Sequence, residues 1–370
     1  MVKRYNQWTE EEKNSFIKQQ EKDFEIMKKM LSLYFDIQDE SYWKAVAAEM
    51  LNVVKNCDRI NYQSRYTADA YAIWHLLDRY RRFQLMQKFL LENNYGIHLT
   101  VRPIRIMDVG TGPAPALLAF SDFYKELNSI LENNAYSCKE DYIEKSEGFR
   151  EFLHRFCEIA FCEGHKFEVP YHHGSFYDIK EFSGALDIVS FGGIHRKKRF
   201  HPDMVIFSNF LTNEGIVEKY KVQLNEISKS MKNYGLIIVV SSKQSDKKYK
   251  KAFEEYNHLF LRKTVNWKYI VRWQRKKKDF VYNYCDSAGE IMRSFYAEIK
   301  KHFIENNAWQ DIDLYTQQQF QERIDNDEKK IKEDGWKGNK WEMNIYQKRV
   351  RLTDTFLRRR ESVSKVKKKQ

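Results

Sequence analysis

The sequence predicts a mixed α/β fold built around a parallel sheet, and three observations carry that expectation. Short apolar runs alternate with helical stretches between residues 101 and 245, which is the pattern of repeated βαβ units. A glycine-rich turn, Gly110-Thr-Gly112-Pro-Ala-Pro115, joins the first such run to the first such helix. Glycine and proline number only 14 and 5 in 370 residues, too few for collagen-like, low-complexity or turn-dense all-β architectures.

The elements follow in order. Residues 1–100 read as helices, because Phe16, Phe24, Met27, Met30 and Leu31 recur at three- and four-residue steps, as do Tyr71, Trp74, Leu77, Leu85 and Phe89. Asn93-Asn-Tyr-Gly96 closes the last of them with a turn. Residues 105–109 form the first expected strand, and 116 to about 131 the helix beyond the glycine turn. Asp141-Tyr-Ile-Glu144 is a second strand, with a helix over 148–161 after it. Residues 167–172 give a third strand and 203–207 a fourth, the latter followed by a helix over about 218–231. Leu236-Ile-Ile-Val-Val240 is the strongest strand signal in the chain. A helix near 287–305 and the alternation Trp341-Glu-Met-Asn-Ile-Tyr346 are expected to close the sheet, with 321–335 an exposed helix or linker. The expected organisation is a helical region at 1–100, a sheet core at 101–245, and a part at 246–370 that completes the sheet and ends in a basic tail.

Aromatic residues make up 15% of the chain, enough to build a core, so wholesale disorder is excluded. The run at 236–240 is far too short to span a bilayer, and the first sixteen residues carry acidic charge where a signal peptide needs an apolar stretch. The five cysteines are odd in number and suggest no disulfide framework. The expectation is a soluble, cytoplasmic protein. Its net charge is +12, and eleven Lys/Arg face three Asp/Glu between residues 340 and 370. Further clusters stand at Arg196-Lys-Lys-Arg199 and Arg275-Lys-Lys-Lys278. Such clusters are either solvated faces or phosphate-seeking surfaces.

The glycine turn is the most informative segment. A phosphate-binding P-loop would need Gly-Lys-Ser/Thr, which is absent, and a dinucleotide site would want a glycine where Pro115 stands. Asp108 two residues before the first glycine, with Ala114 two after the second, resembles class I S-adenosylmethionine-dependent methyltransferases. The resemblance covers roughly residues 66–245 and implies a Rossmann-like sheet with S-adenosylmethionine as cofactor. It implies that Asp108, Gly110, Thr111 and Gly112 line the cofactor, and that Glu144, closing the second strand, accepts both ribose hydroxyls. Ser175 and Phe176 would stand beside the adenine, where the family more often has Asp. The fourth strand would end beside methyl donor and acceptor, placing Ser208 at the cofactor and making Asn209 and Phe210 the catalytic candidates. Arg65-Tyr66, Tyr71, the turn at 108–113 and Ser208-Asn-Phe-Leu look most like the mitochondrial small-ribosomal-subunit methyltransferase-like group. The iron–sulfur cysteines of that group have no matching set here.

The methyl acceptor is less constrained. Cytosine C5 chemistry needs a cysteine nucleophile after Pro or Thr, and no cysteine here follows either. Ser208-Asn209-Phe210-Leu211 lacks the paired prolines of amine-methylating turns; Asn209 either grips an amide or ring nitrogen or caps its strand. The run His195, Arg196, Lys197, Lys198, Arg199 after Gly192-Gly193 is either a substrate-gripping lid or a solvated loop. Cations and aromatics interleave again at 267–275, to stack bases if exposed or to form a strand's core face if buried. His154, Cys157, Cys162 and His165 match no standard zinc spacing, so no metal is expected. The expectation is methyl transfer to RNA or a ribonucleoprotein, with nucleic acid held by the basic loop and tail and no membrane partner. Two alternatives stand: a methyltransferase of proteins or small molecules, and a non-catalytic module that keeps the fold to bind ribosomes or nucleic acid.

Overall fold

The computed structural model describes residues 3–56, 60–97, 103–132, 136–167, 186–191, 194–199, 202–209, 215–242, 247–265, 269–282, 287–325 and 339–353. The helical N-terminal region consists of α1 (Glu10–Asp36), α2 (Glu40–Asn56) and α3 (Arg65–Glu92). Thr9 caps α1: its hydroxyl accepts from the Glu12 N–H while Glu12 reaches back to the Thr9 N–H, two otherwise orphaned donors satisfied together. Alternating elements follow: β1 (Ile104–Val109), α4 (Pro115–Ile130), β2 (Cys138–Ile143), α5 (Glu147–Cys162), β3 (Leu186–Phe191), β4 (Ile194–Arg199) and β5 (Met204–Ser208). Then come α6 (Ile216–Lys219), α7 (Lys221–Ser230), β6 (Leu236–Ser242), α8 (Lys247–Phe260), β7 (Thr264–Val265) and β8 (Tyr269–Tyr282). The last are α9 (Ser287–Glu305), α10 (Leu314–Asp325) and β9 (Asn339–Leu352).

Among the described residues seven strands form the main sheet, in the order β2-β1-β5-β6-β9-β8-β7. β1 runs parallel to β5 and β5 to β6, and β9 closes against β6 antiparallel. This is the α/β sheet that the strand–helix alternation predicts, Rossmann-like as the resemblance implies, with the late strand at 341–346 in the place expected of it. The five residues of β5 are all buried, as a strand covered on both faces requires.

The chain divides into two compact units. One comprises residues 1–104, 110–176 and 281–339, and its core is aromatic. Phe35 and Trp43 meet at 5.9 Å, Trp43 and Phe303 at 4.9 Å, and Trp74 and Phe320 at 5.0 Å. Within it Asp69 of α3 is fully buried and accepts from the hydroxyls of Tyr34 (3.0 Å) and Tyr42 (2.6 Å), with Arg65 Nε 3.5 Å away. Burial pushes its pKa up from 3.8 to about 6, against the pull of those hydroxyls and of Arg65. The folded value lies above the unfolded one, so the native state holds this proton more tightly. Its contribution to stability is complete below about pH 4 and is lost as the pH rises through about 6. Urea midpoints should therefore fall over that window more steeply in the wild type than in Asp69→Asn. Equal slopes would refute the assignment.

The other unit comprises residues 105–109, 177–280 and 340–370. Here Lys348 of β9 turns its ammonium onto the carbonyls of Ser228 (3.0 Å), Lys229 (3.2 Å) and Met231 (2.6 Å) at the end of α7. A cation there meets the negative end of the helix. The run 195–199, expected as a loop or lid, is strand: β4 pairs antiparallel with β3, from Leu186↔Arg199 to Phe191↔Ile194. The apolar, β-branched sequence of β3 supplies the partner, and a second strand follows two residues later.

Candidate functional site

The turn after β1 is built from backbone in the left-handed region. Gly110, Gly112 and Ala114 have φ of 68°, 56° and 56°, a conformation glycine adopts freely and alanine adopts at a cost. The Gly110 N–H donates to the Ile143 carbonyl at 2.7 Å, which ties the turn to the end of β2. Ala114 is the N-cap of α4 and brings no side-chain acceptor, with Pro115 next. The start of α4 thus carries no side-chain cap from its N-cap residue.

Glu144, the first residue past β2, is buried, and its carboxylate holds this corner together. Oε2 accepts from the Gly112 N–H at 2.9 Å, and Oε1 accepts from the Ser146 N–H at 2.8 Å. An ionised carboxylate has about four acceptor positions. Two are used by these amides, which leaves capacity for a vicinal pair of hydroxyls. The donor set therefore fits the ribose of a nucleoside cofactor, the role the sequence resemblance implies for Glu144.

Phe149, two residues into the exit from that corner, lies 3.8 Å from where a Cβ on Gly112 would stand. It stacks on Tyr62 (4.4 Å between ring centroids) and meets Tyr71 edge-on at 5.1 Å. The backbone before α3 is fastened here as well, since the Gly148 N–H donates to the Tyr62 carbonyl at 3.0 Å. Tyr62, Ser146 and Phe149 escaped the sequence reading. For Ser146 and Phe149 the signal was the spacing Glu144-Lys-Ser146-Glu-Gly-Phe149, a carboxylate followed by a helix start and then an aromatic; Tyr62 had no local signal.

Asp108 is fully buried on β1, in register with Ile206 of β5. Val109 stands opposite Phe207, so Asp108, Ser208 and Asn209 lie at the carboxyl ends of adjacent parallel strands. The strand order reverses at this pair, and open α/β sheets take their ligands outside the carboxyl ends there. Asn209 is half-buried with φ 48°, and its N–H donates to the Val240 carbonyl at 2.8 Å. Left-handed backbone at a non-glycine residue is a local strain that Asn tolerates better than most.

Thr111 is buried in the turn, its N–H directed to the Ile143 carbonyl at 3.4 Å. Ser175, Phe176 and Phe210 lie outside the described residues, as do residues 168–172 of the third strand expected at 167–172 and the tail beyond 353. For His195, Arg196, Lys197, Lys198 and Arg199 only the backbone of β4 is described. Among the described residues no group of three or more His, Cys, Asp or Glu side chains is placed to hold a metal ion. Cys157 sits on α5, where burial pushes its thiol up to about 12, a protonated thiol and not a ligating thiolate. Nor is any helix among the described residues long and apolar enough to cross a membrane.

No model of a known protein family matches the sequence, and no curated protein does. Solved structures do match. A SAM-dependent methyltransferase from Geobacter sulfurreducens in complex with S-adenosyl-L-homocysteine is 8% identical, covering 82% of this chain and 98% of that one at a TM-score of 0.36. Phosphoethanolamine N-methyltransferase 2 of Haemonchus contortus is 9% identical over 79% of this chain and 61% of that one, at 0.35. The plantazolicin methyltransferase BpumL is 12% identical over 83% and 97%, at 0.32. The turn and Glu144 stand on their own geometry.

Proposed function

We propose that this chain transfers a methyl group from S-adenosylmethionine to RNA or to a ribonucleoprotein. The reading rests on one observation: the buried carboxylate of Glu144 grips the Gly112 amide of a left-handed turn and keeps acceptor capacity for two hydroxyls. Solved structures of similar arrangement that hold S-adenosyl-L-homocysteine support the choice of cofactor. Bound there, S-adenosylmethionine supplies a methyl activated on a sulfonium. Glu144 would take the ribose, the backbone of residues 110–112 would line its approach, and Asp108 would help to hold the cofactor. Asn209, at the end of β5, would orient the acceptor with Phe210. Positioning and exclusion of water are what the protein contributes to such a displacement. The net charge of +12 favours a polyanionic acceptor.

Calorimetry with S-adenosyl-L-homocysteine tests the first half. One equivalent should bind, and Asp108→Ala should weaken it. Absence of binding by folded protein would leave a non-catalytic module. Radiolabelled methyl transfer tests the second half. Label should enter total RNA or ribosomal subunits and be released by ribonuclease; label that stays with protein or small molecules overturns the acceptor.

A further inference from the structure

Helix α1 meets α3 and α4 through buried polar side chains as well as apolar ones. Gln20 of α1 and Gln84 of α3 bridge the two helices reciprocally: each side-chain amide donates to the other residue's backbone carbonyl, at 3.2 and 2.7 Å. The Arg81 guanidinium donates to Gln84 Oε1 at 3.0 Å. One turn further along α1, Asp23 meets Asp122 and Glu126 of α4, and the three carboxyl groups are 6%, 2% and 3% exposed.

The three are not served alike. Asp122 accepts from the Tyr80 hydroxyl at 2.6 Å, and its other oxygen lies 2.9 Å from His165 Nε2 and 3.2 Å from the Lys125 ammonium. Asp23 accepts from the Gln19 amide at 2.9 Å. Glu126 Oε2 is enclosed and meets no donor among the described residues, while the Glu126 carboxyl stands within hydrogen-bonding reach of Asp23. Ionised carboxylates only accept, so two of them in contact turn lone pairs on lone pairs. A proton on one converts that contact into a charge-assisted O–H···O⁻ bond. The groups facing the pair are Asp122 of α4, Arg81 and Tyr80 of α3, and His165 beyond α5, with Lys125 reaching it through Asp122. Burial pushes both carboxyls above their ordinary values; Asp23 and Asp122 raise Glu126 further against the pull of Arg81, and His165 draws Asp23 down.

We propose that Asp23 and Glu126 share one buried proton that fastens α1 to α4 and makes the hold of α1 depend on pH. When α1 opens, both carboxyls are hydrated and the proton passes to water; closing takes one proton back. The closed form binds the proton more tightly than the open one. The hold is therefore complete below about pH 4.5, the ordinary glutamate value, and weakens as pH rises. The opening equilibrium shifts about tenfold per pH unit until the closed pair itself ionises. Neither the proton nor its loss involves the cofactor or the methyl acceptor.

Amide hydrogen exchange of the full chain, followed over residues 16–31 of α1 with the intrinsic exchange rate divided out, tests this. The window lies above about pH 6.5, where Asp69, with its value of about 6, has already lost its proton. Wild-type protection should fall about tenfold per pH unit there. In Glu126→Gln the new amide can donate to Asp23 without titrating, so protection should change little with pH. Equal pH dependence in wild type and folded Glu126→Gln overturns the shared proton. The wild type alone supplies a second readout that needs no variant. Near pH 7.5 its infrared spectrum should show the carbonyl stretch of a protonated carboxyl, sensitive to D2O and abolished by urea unfolding at the same pH. A folded wild type without that band overturns the proposal.

Discussion

Glu144→Gln should weaken binding of S-adenosyl-L-homocysteine by about ten- to a hundredfold. A hydrogen bond to a charged acceptor contributes about 1.5–3 kcal/mol, and about 1.4 kcal/mol is a factor of ten in affinity. The amide that replaces one carboxylate oxygen is itself a donor. It would face either the Gly112 N–H or the Ser146 N–H, both of which now donate to Glu144 at under 3 Å. One buried amide therefore loses its acceptor, and the thermal midpoint should fall together with the affinity. The two effects separate the roles. If Glu144 serves only to hold the turn, the variant that remains folded will bind the cofactor as the wild type does. Calorimetry well below the midpoint decides this, and unchanged affinity there would sink the assignment of Glu144 to the ribose. Glu144→Asp is the companion variant: the shorter side chain keeps the charge but cannot keep both amide contacts, so it should lose stability first.

What the sequence showed and what it hid follow from the range of the interactions. Gly110, Gly112 and Glu144 were readable because a glycine between strand and helix, and an acid at a strand end, are local signals with a chemical reason behind them. The strands at 236–240 and 341–346 were readable for the same reason: their apolar content is continuous or alternates within a few residues, and they pair from Leu236↔Gln347 to Ser242↔Trp341. The strand at 194–199 was not. Four successive cations carry no hydrophobic period, and only its hairpin partner, β3, makes it a strand. Cys138 begins β2 three residues ahead of the expected start, because Lys139 and Glu140 mask the alternation. The aromatic group at Gly112 was hidden for a different reason. Tyr62 and Tyr71 stand far from Phe149 in the chain, and their meeting at 4.4 and 5.1 Å is a product of packing of α3 and the segment before it against α5 that no local pattern encodes.

That packing yields the largest expected loss of stability, from Gly148→Ala. Gly148 lies in the first turn of α5, where alanine is ordinarily the better helix residue. Propensity alone would make the change stabilising. The structure reverses the sign, because a Cβ on Gly148 would stand 2.3 Å from the Ser64 carbonyl oxygen and 2.7 Å from that of Tyr62. Both are backbone atoms, and neither can swing aside as a long side chain would. Either the segment before α3 or the start of α5 must move, at a cost of about 1–3 kcal/mol or more. Gly112→Ala is the informative contrast. Its φ of 56° brings the left-handed penalty, about 1–2 kcal/mol, but the nearest side-chain atoms are 3.8 Å away and need not move. Gly148→Ala should therefore lower the thermal midpoint more than Gly112→Ala does. It should also lower cofactor affinity, because displacing residues 62–64 takes Tyr62 from Phe149 and so loosens the ring that lies against Gly112. A Gly148→Ala protein with wild-type midpoint would show that the two helix starts do not meet backbone to backbone. The same protein with a lowered midpoint and unchanged affinity would show that the aromatic group supports the fold and leaves the cofactor alone.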